Sequence, residues 1–181
     1  MIALVGMPGS GKSTVGRTLA RRLGWDFADS DVEIEREIGS SIRAFFEQHG
    51  EPAFRDIESQ ALERLCGLDR TVLATGGGAI LREGNRRLLA AHGQVFYLRS
   101  TPEELFRRVR HDTRRPLLQV SDPMRRLRDL FAERDPLYRD AAHFVVETGR
   151  PSVPTLVNMV LMQLEVAGVI DPQRDAKDAK L

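Results

Sequence analysis

Gly6-Met7-Pro8-Gly9-Ser10-Gly11-Lys12-Ser13 decides the fold, because of what stands on either side of it. The stretch fits G-x-x-x-x-G-K-[ST]. Before it runs Ile2-Ala3-Leu4-Val5, a short apolar run that reads as a buried parallel strand. After it, Val15, Leu19, Ala20 and Leu23 recur at helical spacing until Gly24 ends the pattern. Strand, glycine-rich loop and helix, in that order, make a phosphate-binding loop. The glycines let successive backbone N–H groups turn inward on a polyphosphate, and the helix adds its positive N-terminal end. Lys12 supplies a mobile charge for the β- and γ-phosphates, and the Ser13 hydroxyl is placed to ligate Mg²⁺. The motif specifies a nucleotide and magnesium. It does not specify a reaction.

Outward from the loop, strands and helices alternate. Asp26-Phe27-Ala28 reads as a second strand that delivers Asp29-Ser30-Asp31 at its C-terminal end. Helical patterns follow over about 31–38, 41–48 and 52–65. Residues 71–75 read as a strand broken by Gly76-Gly77-Gly78, followed by a helix over 83–92 and a strand over 95–99. Thr101-Pro102 and Asp122-Pro123 each open a helix with a capping side chain and a proline at the first position. A last strand over 144–147 and a closing helix over 153–166 complete the series. This alternation predicts parallel βαβ units in a three-layer α/β/α sandwich. Residues 1–170 are expected to form a single domain. The polar run 171–181 has no apolar period and reads as a disordered tail.

Bulk properties exclude several classes. The chain has 181 residues, enough for one full core, and a formal net charge of +1, so no overall field draws it to nucleic acid or anionic lipid. Its single cysteine, Cys66, forbids an internal disulfide and reads as a small buried apolar side chain. No stretch approaches the roughly 18 apolar residues of a membrane span, and nothing resembles a signal peptide. A cytoplasmic protein, expected to be monomeric, is the reading.

Parallel α/β sheets bind ligands beyond the carboxyl ends of their strands, where this sequence places three chemically distinct groups. One is the phosphate loop. Another is the Asp29/Asp31 pair, in which one carboxylate could hold a metal through water while the other accepts a hydrogen bond from an acceptor hydroxyl. A helix cap with a first-turn acid fits the same spacing equally well. The third is the glycine triplet, suited either to close backbone approach or to a plain turn. Arginines complete the set: Arg55, the pair Arg114-Arg115 ahead of Pro116-Leu117-Leu118, and Arg139 after Pro136-Leu137-Tyr138. A guanidinium fork can bind a carboxylate or neutralise a phosphoryl group in transfer, although most arginines simply face solvent. The charged stretch around 110–120 has the composition of a mobile lid, which a kinase needs to keep water from the γ-phosphate.

Several blocks in order resemble the shikimate kinase family: GMPGSGKST at 6–14, DSD at 29–31, FRDIE at 54–58, TGGGA at 75–79, RPLL at 115–118 and PLYR at 136–139. Together they span about residues 2–166. The resemblance implies a five-stranded parallel sheet of the nucleoside monophosphate kinase class with a lid. It implies transfer of the ATP γ-phosphate to the 3-hydroxyl of shikimate, a step of aromatic amino acid and chorismate biosynthesis. By the same resemblance Gly9, Ser10, Gly11, Lys12, Ser13 and Thr14 bind ATP, with Arg108 and Arg150 near adenine. Ser13 and Asp29 serve Mg²⁺, and Asp31 contacts the hydroxyl as candidate base. Arg55 and Arg139 grip the shikimate carboxylate, Gly76, Gly77 and Gly78 lie against the ring, and Arg115 reaches the transferring phosphoryl group from the lid.

Two other readings share parts of this pattern. A gluconate kinase would use the same fold and also bind a hydroxylated carboxylate; the glycine triplet and the Arg55/Glu58 spacing speak against it. A nucleotide-binding switch or regulatory subunit would need no acceptor, but the chain lacks an N-K-x-D guanine-recognition motif.

Overall fold

Alternate residues of the first strand, β1 (Ile2–Val5), face opposite sides of the sheet, and both sides are dry. Ile2 and Leu4 pack with Val15 and Leu19 of α1 (Lys12–Leu23) and Val157 and Val160 of the last helix. Ala3 and Val5 pack the other way, with Leu62, Leu89, Leu127 and Tyr138. A strand buried on both faces must be apolar throughout, which is why its sequence shows no alternation. The computed structural model describes residues 1–111 and 119–171, and the structural statements here concern those residues.

The remaining elements are β2 (Asp26–Asp29), α2 (Ser30–Ile38), α3 (Ile42–Cys66), β3 (Thr71–Ala74), α4 (Glu83–His92), β4 (Gln94–Arg99), α5 (Pro102–Val109), α6 (Pro123–Ala141), β5 (Phe144–Glu147) and α7 (Val153–Val166). The five strands run parallel in the order β2-β3-β1-β4-β5. Helices α1 and α7 cover one face, and α3 to α6 contribute to the cluster on the other, so the three-layer sandwich is as expected. A smaller cluster around Ile34, Phe54 and Ala61 ties α2 to α3. No helix among the described residues is long and apolar enough to cross a membrane.

Helix ends follow local chemistry. Thr101 and Glu104 form a reciprocal capping box on α5, with Pro102 in its first turn. The two helices expected over 41–48 and 52–65 are continuous in α3 except at Gly50, where φ 81° and ψ 171° break the helical path. Only glycine adopts that conformation readily, so the break falls there. Most of the expected lid (about 110–120), including Arg115, and all but Asp171 of the polar tail lie outside the described residues.

Candidate active site

Beyond the carboxyl ends of β1, β2 and β3 opens a cavity of about 430 Å³. Its walls include Gly9, Gly11, Lys12, Ser13 and Thr14 of the phosphate loop, Asp29 and Asp31 after β2, Thr75 and Gly77 after β3, and Arg108 from α5. Three strand ends far apart in sequence thus meet in one space, as the parallel sheet dictates.

Lys12 lies folded along its own loop, donating to the carbonyls of Gly6 at 2.8 Å and Met7 at 3.0 Å. Ser13 Oγ donates to Asp29 Oδ2 at 2.6 Å. The other oxygen of Asp29 accepts from the backbone N–H of Asp31 at 3.1 Å and of Val32 at 3.4 Å, which caps α2. The cap and the contact with Ser13 occupy different oxygens of Asp29, so capping leaves the expected metal-side oxygen free of the helix. No group of three His, Cys, Asp or Glu side chains fit to hold a metal occurs among the described residues. A hydroxyl beside a single carboxylate does suit Mg²⁺, which keeps several waters and takes phosphate oxygens for the rest of its shell.

Asp31 is the most perturbed acid of the cavity. Burial pushes its carboxyl up to about 6; the negative charges of Asp29 and Glu58 add to that, and Lys12 opposes it. The glycine triplet lies directly against it. Gly76 N–H donates to the buried Ser30 Oγ at 2.9 Å, and a Cβ on Gly76 would stand 2.5 Å from Asp31 Oδ1. A Cβ on Gly77 would meet Pro8 Cδ at 2.7 Å, and one on Gly78 would overlap the Arg55 guanidinium. The triplet is therefore a floor on which phosphate loop, carboxylate and guanidinium all rest, with no room for a methyl group.

Arg55 is held by two carboxylates and two rings. Its Nη1 donates to Glu58 Oε2 at 2.7 Å, while Nε and Nη2 donate to Glu51 Oε1 at 3.3 and 3.1 Å. Phe54 and Phe46 lie 5.2 and 5.9 Å from its guanidinium carbon. Glu58 is only 1% exposed, and burial raises its carboxyl against the pull of Arg55. A buried pair of this kind fixes geometry more than it stabilises.

Arg139 does not join this group, contrary to the sequence expectation. It is about half exposed and donates to Asp135 Oδ2 at 3.0 Å; Asp135 Oδ1 also accepts from Tyr97 Oη and Arg99 Nε. The residue of α6 whose charge acts on Glu58 is Arg134, which also acts on the Tyr138 hydroxyl. Arg134 Nε is buried without a hydrogen-bond partner among the described residues. The reason is helical periodicity: Tyr138, buried and donating to Gly77 O at 2.6 Å, shares its face with residue 134, whereas 135 and 139 share another. Arg134, Tyr138, Glu58 and Ser30 had no role assigned from sequence. The 134/138 spacing ahead of a buried tyrosine was the signal that could have found the first of them.

Arg108 spans from α5 to the phosphate loop and the sheet, donating to Ser100 Oγ at 3.1 Å, Thr148 O at 2.5 Å and Ser10 O at 3.5 Å. Arg150 is exposed in the turn between β5 and α7 and does not line the cavity.

Comparison with known proteins gives a consistent result. The sequence pattern of the family described as Shikimate kinase matches residues 8–165. The shikimate kinase of Paracidovorax citrulli is 56% identical over 174 residues, covering 94% of this chain and 95% of that protein. The structure of shikimate kinase from Acinetobacter baumannii in complex with shikimate superposes with a TM-score of 0.87 at 46% identity, covering 94% of each chain. A gluconokinase from Sinorhizobium meliloti superposes with a TM-score of 0.59 at 17% identity, covering 92% of this chain and 91% of its own, which shows a shared fold alone.

Proposed function

This chain belongs to the shikimate kinase family, and from that membership we propose how its own residues divide the reaction. The protein is an ATP-dependent kinase that transfers the γ-phosphate to the 3-hydroxyl of shikimate, giving shikimate 3-phosphate and ADP. The observation that carries the assignment of parts is the position of Asp31, between the phosphate loop and the Gly78–Arg55 contact.

The shikimate carboxylate is taken by Arg55 and Arg134, the latter in place of Arg139. The backbone at Gly76, Gly77 and Gly78 lies against the ring, where the absence of side chains permits contact. Asp31 accepts a hydrogen bond from the 3-hydroxyl and takes its proton as the oxygen bonds to phosphorus. An ionisation near 6 suits this task, since the group is largely ionised at neutral pH yet still basic. Lys12 exchanges the carbonyls of Gly6 and Met7 for the β- and γ-phosphate oxygens, joining the backbone from Gly9 to Thr14. Ser13 and Asp29 would hold Mg²⁺, which would supply positive charge to the polyphosphate. Arg108 faces the nucleotide from α5, and Arg150 borders the adenine. Arg115, placed by its RPLL block, reaches the transferring group. Positioning and charge neutralisation supply most of the rate, because the transfer asks little covalent chemistry of the protein.

The test is ADP release by purified protein with ATP and Mg²⁺, with shikimate, gluconate or no acceptor. Turnover that depends on shikimate is expected. Turnover with gluconate alone would move the chain to the other acid, and slow hydrolysis indifferent to either would make it a nucleotide switch.

A further inference from the structure

A guanidinium presents its best carboxylate-binding edge between Nε and one Nη, where two parallel N–H bonds can be made at once. In this structure that edge of Arg55 is already taken: Nε and Nη2 both donate to Glu51 Oε1. Glu58 occupies Nη1 on the other side. The two carboxylates differ in how readily they can leave. Glu58 is buried and would lose its hydrogen-bonded partner, whereas the Glu51 side chain is 56% exposed and can return to water. Glu51 also follows the break at Gly50, at the start of the second half of α3, so it can swing to an exposed helix N-terminus that favours negative charge.

We propose that Glu51 is a carboxylate latch that the acceptor's own carboxylate displaces from Arg55, which makes it a specificity-determining residue for anionic acceptors. The inference rests on the reading that Arg55 receives the acceptor carboxylate. An acceptor bearing a carboxylate replaces what it removes, bond for bond. One without it leaves the latch shut and gains nothing from Arg55. The latch thereby sets a threshold that weakens the proper substrate slightly while denying Arg55 to neutral analogues.

The experiment compares Glu51→Gln and Arg55→Met with the parent protein, using shikimate and its methyl ester as acceptors, and monitors melting to confirm folding. For Glu51→Gln the KM for shikimate is expected to fall about two- to fivefold, the range given by loss of a half-exposed ion pair. The KM for ATP and that for the ester are expected to stay constant. An unchanged or raised KM for shikimate in Glu51→Gln, or an equal fall for the ester, would overturn the latch. Arg55→Met tests the premise separately: a raised KM for shikimate upholds it, and an unchanged one removes the premise and the latch with it.

Discussion

The two sides of the cavity are built by different means. The nucleotide side comes from one continuous stretch, 6–14, whose working parts are backbone N–H groups, one lysine and one hydroxyl. The proposed acceptor side comes from Asp31 on α2 and Gly77 after β3, which line the cavity, and from the charges packed behind them: Arg55 and Glu58 on α3, and Arg134 and Tyr138 on α6. The first handles charge with dipoles fixed by a local turn. The second sets full charges against each other in a place largely without water. A dipole cradle costs the fold little, whereas a crowd of buried charges is expensive and exact in its geometry. Substitutions on the two sides should therefore fail in distinguishable ways.

The sharpest contrast is expected at Asp31. Asp31→Asn should lower kcat by about 10²–10⁴, the usual contribution of a positioned proton acceptor. The same change should raise stability. The carboxyl titrates near 6 in the folded chain against 3.8 as its ordinary value, so the folded state binds the proton more tightly. As far as this group is concerned, stability is fully present below about 3.8 and declines as pH rises through about 6. Above that, the ionised carboxylate costs the fold up to about 3 kcal/mol. A melting temperature for Asp31→Asn above that of the parent at pH 8, with the difference shrinking toward pH 4, would show the trade. Parental kcat/KM should also fall as pH drops through about 6; a flat profile across that range would break the assignment of Asp31 as base.

On the nucleotide side, Lys12→Met should cost about 10²–10³ in kcat, the scale of removing one preorganised charge from a transition state. Here no compensating rise in stability is expected, because Lys12 makes good hydrogen bonds to Gly6 and Met7 as it stands. A large gain in melting temperature would contradict the low cost assigned to the cradle.

Arg134 and Arg139 sharpen the picture within the acceptor side. Arg134→Met should raise the KM for shikimate about ten- to a hundredfold, as expected for a lost charge-assisted hydrogen bond. Arg139→Met, which removes only a half-exposed pair with Asp135, should change it less than about twofold. The reverse order in steady-state kinetics would restore the reading made from sequence. An effect between these two is expected at Gly78→Ala, whose methyl group must push the flexible Arg55 guanidinium aside. About a tenfold rise in the shikimate KM with little change for ATP is the prediction, on the scale of a one-ångström misplacement or less.

Legibility followed the same division. The phosphate loop, the strand-helix alternation and the capped starts of α5 and α6 were readable because each depends on neighbours a few residues away. Asp29 was ambiguous, and the structure shows that a cap and a contact with Ser13 coexist on its two oxygens. The glycine triplet could have been an ordinary turn until Asp31, Pro8 and Arg55 were found against it. Arg134 does not stand out in the sequence because α6 carries two similar pairs, Arg134-Asp135 and Arg139-Asp140, at close spacing.

The sequence by itself determined that this chain has a polyphosphate cradle at the end of its first strand, in a parallel α/β sandwich, because backbone conformation and hydrophobic period are local properties. Tertiary structure alone decided which charges share the acceptor corner. Burying Tyr138 against Gly77 sets the rotation of α6 about its axis, and that rotation brings Arg134 toward Glu58 while leaving Arg139 with Asp135. Such a choice depends on how a helix packs on a distant strand end, and no pattern of neighbouring residues contains it.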